Sequence, residues 1–222
     1  MKKSVLITFV LAALLGVVLC ACTREEDRPR TGDLVFVGLP MDYSLDKDSM
    51  AGAISASTGG DSLNIIHVAI LEVGRDTTWI IDATIKHGVD RHPIDTFFTD
   101  FRLRDGSMPV FLVKRPDVTA AQAEEFVRNA RHYLGQPYDS AFLPDNGAMY
   151  CSELVRESYV LDDGSHLFSE YPMNFLGPDG SMPPYWTQLF ARLGMDVPQG
   201  VLGTNPQKMA AESSLQPLDV SL

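Results

Sequence analysis

Three side chains that could together open a carbonyl group lie far apart in this chain: Cys151, His67 and Asp82. Cys151 stands in Asn146-Gly-Ala-Met-Tyr-Cys-Ser-Glu-Leu-Val155, just after the loop formers Pro144, Asp145, Asn146 and Gly147. Leu154, Val155 and Tyr159 follow it at helical spacing, so the sequence predicts a helix over 150–161 with Cys151 in its first turn. Unpaired backbone N–H groups and the helix dipole favour an anion there, whether the thiolate or the oxyanion of an attacked carbonyl. Position alone leaves a second reading open, a small thiol packed in a core. His67 interrupts the apolar run Ile65-Ile66-His67-Val68-Ala69-Ile70, where an imidazole must find a hydrogen-bond partner. Asp82 lies among aliphatics in Ile80-Ile81-Asp82-Ala83. A hairpin turning at Gly74-Arg75-Asp76 brings position 67 opposite residues around 82 to 84, so the two can meet on one sheet face. A carboxylate that fixes the imidazole and an imidazole that keeps a thiol ionised make a Cys–His–acid relay. A purely structural His–Asp pair is the alternative.

The elements that must position these residues follow from pattern. Strands are expected at Asp33–Val37, Ile65–Val73, Thr77–Ile85 and Met108–Lys114, with a short extended piece at His87–Asp90. Strict alternation on the second puts Ile66, Val68 and Ile70 on one face, and His67, Ala69 and Leu71 on the other. Helices are expected at Asp48–Ser57, Ile94–Phe101, after Thr119 up to Gly135, at Tyr185–Leu193 and at Pro206–Glu212. Thr119 with Gln122 three residues on is a capping-box pattern. Contiguous antiparallel strands with segregated helices make the class α+β.

The chain has 222 residues, 18 basic and 29 acidic, for a net charge of −11. It opens with Met1-Lys2-Lys3 and an apolar run from Val5 to Leu19, about fifteen residues and short for a membrane span. The run ends in Leu19-Cys20-Ala21-Cys22, which resembles a bacterial lipobox with Cys22 as the acylated residue. On that resemblance residues 1–21 are a lipoprotein signal peptide, 22–31 a flexible tether, and 32–222 a single domain whose loop-rich stretch 164–222 is an appendage. Removing residues 1–21 leaves 201 residues with 16 basic against 29 acidic, a charge of −13. Such a chain has no charge-driven affinity for nucleic acid or anionic membranes and would reach a membrane through its lipid. With Cys20 lost and Cys22 acylated, Cys151 has no disulfide partner, which leaves it either inert and buried or reactive.

Five short motifs then occur in one order. They are Gly32-Asp-Leu-Val-Phe36, His67-Val-Ala-Ile70, Ile81-Asp-Ala83 with Gly88-Val89, Gly135-Gln-Pro-Tyr-Asp139, and Tyr150-Cys-Ser-Glu-Leu-Val155. Together they resemble the YiiX-like hydrolases, circularly permuted relatives of the NlpC-type papain-like peptidases, over about Gly32 to Tyr159. The resemblance implies a permuted papain-like fold, an antiparallel sheet or partial barrel packed on helices, with the cysteine at a helix N-terminus. It implies Cys151 as nucleophile, His67 as general base and Asp82 as the third polar residue, a position usually held by Glu. His87 is the other candidate for that third place. Tyr138 and Tyr150 are expected to line the substrate site. Asp139 could instead brace a turn, and Glu153 reads as a first-turn acid pointing away. His132 and His166 read as exposed. No glycine-rich phosphate loop is present. His87 and His92 are separated by four residues, run up to Pro93 and have no third ligand, so neither a metal nor a cofactor is expected.

The expected activity is that of an exported, lipid-anchored cysteine amidase or peptidase in the cell envelope, acting on peptides such as cell-wall stem peptides. Two rivals stand beside it. One is a lipid acyl hydrolase or acyltransferase using the same nucleophile, with Phe97, Phe98 and Phe101 in an apolar groove. The other is a non-catalytic binding module.

Overall fold

The computed structural model describes residues 28–222 apart from 44, 47, 60, 61 and 221. The expected signal segment and Cys22 lie outside the described residues. The expected tether overlaps them only at its end, and there it is fastened. The Arg30 N–H donates to Asp33 Oδ2 at 2.8 Å, Arg115 Nη2 donates to the Arg28 carbonyl at 2.7 Å, and the Val73 N–H donates to Thr31 Oγ1 at 3.0 Å.

The strands are β1 (Leu34–Pro40), β2 (Leu63–Val73), β3 (Thr78–Thr84), β4 (Gly88–Pro93), β5 (Val110–Pro116), β6 (Tyr171–Pro172), β7 (Leu202–Gly203) and β8 (Leu215–Leu218). The helices are α1 (Met50–Thr58), α2 (Ile94–Asp100), α3 (Ala120–His132), α4 (Cys151–Ser158), α5 (Pro184–Leu193) and α6 (Pro206–Ala210). Six strands form one open sheet in the order β4-β3-β2-β1-β5-β8, every neighbouring pair antiparallel, and β6 pairs with β7. The fold is α+β, as the strand and helix pattern predicts.

Central strand β1 is buried on both faces. Leu34 and Phe36 join one apolar cluster with Phe126 and Val127 of α3 and Leu154 and Val155 of α4. Val35 and Val37 join another with Phe97 of α2. A third cluster ties α1 to α5 through Ala53, Phe142, Tyr150, Phe175, Trp186 and Phe190. Thr119 caps α3, its hydroxyl accepting from the Gln122 N–H at 3.2 Å, while the Gln122 side chain turns instead to the Val160 carbonyl.

Two differences from the sequence expectation matter to the site. In β2 the register opposite β1 runs Val37 to His67 and then Gly38 to Ile65, so Ile66 is an extra residue in a bulge. Alternation breaks there. Ile65 joins Val68 and Ile70, and Ile66 packs with Ala69 and Leu71. A bulge re-aims side chains at the point of insertion, and His67 is the next residue. The second difference is the C-terminal stretch, which is built into the domain rather than appended to it. β8 extends the main sheet beside β5, and Gln207 Oε1 accepts the Ile65 N–H at 2.8 Å.

Candidate active site

Cys151 is the first residue of α4, with extended Tyr150 as its N-cap. The first N–H groups of a helix have no acceptor within it, so the sulfur sits at the donor end of α4. The strand-like turn before the helix is held by Tyr138 paired with Met149 and by Asp139, whose carboxylate accepts the Ala141 and Leu143 N–H groups at 2.8 Å each. Asp139 is therefore a turn brace. The C-terminal stretch pins the other side of the helix start. The Thr204 N–H donates to Tyr150 Oη at 2.9 Å, and the Thr204 and Ser152 hydroxyls bond at 2.9 Å.

His67 Nε2 lies 2.7 Å from Asp82 Oδ2, both side chains buried. Counting on from Ile70 opposite Ile81 and Leu71 opposite Ile80, position 67 faces 84 and Asp82 is its diagonal neighbour, within reach of a long side chain. Aspartate, one methylene shorter than the glutamate the resemblance calls for, thus reaches the ring. Phe101 packs against the imidazole with centroids 4.6 Å apart. Burial works against a charged ring, but the negative charge of a Cys151 thiolate and the hydrogen bonds to Asp82 and Cys151 outweigh it and lift the His67 pKa to about 10. With Nε2 turned to Asp82, the other ring nitrogen is the one left for the sulfur.

His67 and Cys151 share a cavity of about 300 Å³ whose other walls include Met50, Ile54, Ile66, Ala83, Phe101 and Tyr138. A smaller space of about 50 Å³ shares Ile54, Tyr138 and Cys151 with the first and adds Tyr150, Phe175 and Trp186. Tyr138 and Tyr150 therefore both border Cys151, and burial raises the pKa of each phenol, keeping it protonated. Of the three expected groove phenylalanines, only Phe101 lines the cavity. Phe97 lies buried behind His67, and Phe98 packs on Phe111. His87 is not part of the site: it is exposed and 3.5 Å from Asp100.

The model of the permuted papain-like amidase enzymes, the YaeF/YiiX, C92 family, matches residues 28–218. The chain belongs to the permuted papain-like amidases. The uncharacterized protein YiiX of Escherichia coli (strain K12) is 24% identical over 182 residues, which is 81% of this chain and 81% of that protein. The crystal structure of metalloprotein YiiX from Escherichia coli O157:H7 superposes with a TM-score of 0.65 at 23% identity, covering 87% of this chain and 98% of that one. The fold is thus that of the permuted papain-like group, and the protein is a cysteine amidase or peptidase-type hydrolase with a peptide-type substrate. Among the described residues of this amidase, no group of three or more His, Cys, Asp or Glu side chains is placed to hold a metal ion.

Two acid–base groups of the amidase are more deeply buried than their sequence settings indicate. His92, on β4 beyond the extended piece expected at 87–90, is buried beside Asp82. Its signal was two-residue alternation continuing from Asp90. Glu153 is the first-turn acid of α4 that the sequence predicts, outside the lining of the cavity at Cys151. It is buried, and its carboxylate accepts the Tyr150 N–H at 3.3 Å. His166 is half-buried, 3.3 Å from Glu157, while His132 is exposed as expected.

Burial raises the Glu153 pKa to about 8, despite the opposing bond from the Tyr150 N–H. The folded state then holds a proton that the unfolded chain loses near the ordinary value of 4.5, so stability falls as pH climbs from there through about 8. Glu153→Gln keeps the acceptor without the charge. It is expected to match wild type near pH 4.5 and to be more stable at pH 8 by on the order of 2 kcal/mol. Urea unfolding at the two pH values measures the difference, and equal gaps at both would show that the carboxylate is hydrated.

Proposed function

We propose that Cys151, His67 and Asp82 are nucleophile, proton carrier and orienting acid of amide hydrolysis. The observation that carries this reading is the His67 ring held by Asp82 at 2.7 Å in the cavity it shares with Cys151. His67 takes the thiol proton, and the thiolate attacks the amide carbonyl. The carbonyl oxygen becomes an oxyanion facing the backbone N–H groups at the start of α4. His67 returns the proton to the amine nitrogen, the C–N bond breaks, and the acyl group remains on sulfur as a thioester. A water then gives its proton to His67 and its oxygen to the carbonyl, releasing the acid and restoring the thiol.

The lipobox-like Leu19-Cys20-Ala21-Cys22 supports an exported protein anchored by lipid on Cys22 in the cell envelope, as one domain over residues 32–222. Cell-wall stem peptides are the amides that such a location supplies. The lining of the cavity favours a second reading for the acyl side. Met50, Ile54, Ile66, Ala83 and Phe101 outnumber the charged Lys86 and Asp100 in the lining, so an acyl chain on the carbonyl suits the same nucleophile.

The test incubates the purified protein separately with muropeptides, with N-octanoyl anilide and with labelled phosphatidylethanolamine, and reads product and the mass of the Cys151 peptide. Peptide cleavage supports the amidase on cell-wall substrates. Octanoyl or lipid acyl mass on Cys151, with no muropeptide product, moves the activity to acyl amides or esters. No turnover of any substrate, with a thiol that alkylates slowly at pH 6, means a binding module.

A further inference from the structure

Three polar atoms lie together, buried and without a hydrogen-bond partner among the described residues: Oδ1 of Asp82, and Nδ1 and Nε2 of His92. His92 Nε2 is 4.0 Å from Asp82 Oδ1, on the side of the carboxylate opposite His67. His92 Nδ1 is 3.7 Å from Asp90 Oδ2. The sheet register explains the meeting. Asp82 faces Asp90 and Ile80 faces His92 across β3 and β4, so His92 is diagonal to Asp82 just as His67 is from β2. Asp82 is flanked by an imidazole on each neighbouring strand.

An unpaired carboxylate oxygen on a residue 1% exposed has lost its water without a donor in exchange, which is unfavourable. At 4.0 Å the two atoms face each other just beyond normal hydrogen-bond distance. The His92 ring is a donor that can serve Oδ1 after a small shift. Closing the gap by about 1 Å brings Nε2 within normal hydrogen-bond distance.

We infer that His92 is a positioning residue for this site. Its Nε2–H donates to Asp82 Oδ1, fixing the plane of the carboxylate so that Oδ2 stays aimed at His67 Nε2 and the far ring nitrogen stays aimed at Cys151. The inference rests on the proposed Cys151–His67–Asp82 reading and adds a fourth member to it. An aspartate has little reach, so its angle to His67 must be set by something outside the pair. Outer partners that orient a reactive imidazole or carboxylate act on reactivity without touching substrate. His92, like Asp82, packs away from the cavity lining, so it acts only through them.

The experiment uses the thiol as its own reporter and needs no substrate. Second-order rates of Cys151 alkylation by iodoacetamide at pH 6 are compared in wild type, His67→Ala, His92→Gln and His92→Asn, alongside thermal unfolding. Glutamine places an amide N–H near the Nε2 position. Asparagine places one near Nδ1, toward Asp90, and leaves Oδ1 unserved. His92→Asn is expected to slow alkylation by about tenfold, and His92→Gln to recover most of the wild-type rate at a similar melting temperature. Asparagine at the wild-type rate, or both variants slowed alike, overturns the positioning role. Wild type reacting no faster than His67→Ala would instead remove the dyad reading itself, and the inference with it.

Discussion

Cys151→Ala is expected to lower amide hydrolysis about 10⁴-fold or more while the protein stays folded. Without sulfur the remaining route is direct attack by water, and no thioester can form. The structural cost is small, because one buried atom is removed and the neighbouring helix start is held by Thr204 through Tyr150 and Ser152. About 1 kcal/mol is the expected loss. The same variant tests the electrostatics. The thiolate charge is the largest influence raising His67, with its hydrogen bond adding to it, and burial opposes both. Removing the sulfur should drop the His67 pKa well below about 10, leaving Asp82 alone against desolvation. The sign for stability follows. In wild type the raised pKa contributes stability that is complete below the unfolded value of 6.5 and is lost as pH rises through about 10. In Cys151→Ala that contribution shrinks and its loss begins at lower pH. Ring-proton NMR titration of His67 in the two proteins reads the shift. An unmoved His67 would mean that ring and sulfur do not interact.

Arg115→Met is expected to cost about 3–5 kcal/mol, the largest stability loss from a single charge. Asp33 is 2% exposed at the head of β1. Arg115 grips it with two bonds of 2.9 Å, from Nε to Oδ1 and from Nη2 to Oδ2. Without the guanidinium, the buried carboxylate keeps only the Arg30 N–H among the described residues. The double variant Asp33→Asn with Arg115→Met should recover part of the loss, because the orphaned charge is gone. Urea unfolding of the two singles and the double measures it. A loss under about 1 kcal/mol for Arg115→Met would show that water reaches Asp33. The Gly32-Asp33 motif is on this account a structural clamp. Tyr159 Oη donates to the Gly32 carbonyl at 2.9 Å, and Gly32 has φ +85°, with no room for a Cβ against Ala123.

Much of the fold was legible because local rules suffice for it. The hairpin at Gly74, the Thr119 cap and Pro206 after Asn205 each announce themselves in a few neighbouring residues, and each is found where the pattern puts it. Helix α4 ends at Ser158, short of the expected 161, because Tyr159 turns inward to bond Gly32. The bulge at Ile66 left no local mark, since Ile65 and Ile66 are chemically alike and only pairing with β1 says which is extra. The place of residues 164–222 was hidden for a related reason. Two- and four-residue strands carry too little periodicity to show, and β8 exists as a strand because β5 offers it an edge.

By itself the sequence determined the residue types and their local settings: a thiol at a helix start, an imidazole and a carboxylate in adjacent aliphatic strands, and a turn that brings those strands together. These follow from spacing along a few residues, where backbone geometry leaves little choice. Only the tertiary structure decided which histidines serve the carboxylate. His67 and His92 approach Asp82 from β2 and β4, while His87, nearer Asp82 in sequence than either His92 or His67, ends on the surface. Strand register sets which side chains are diagonal neighbours, and register is fixed by the packing of whole sheet faces rather than by any short stretch of chain.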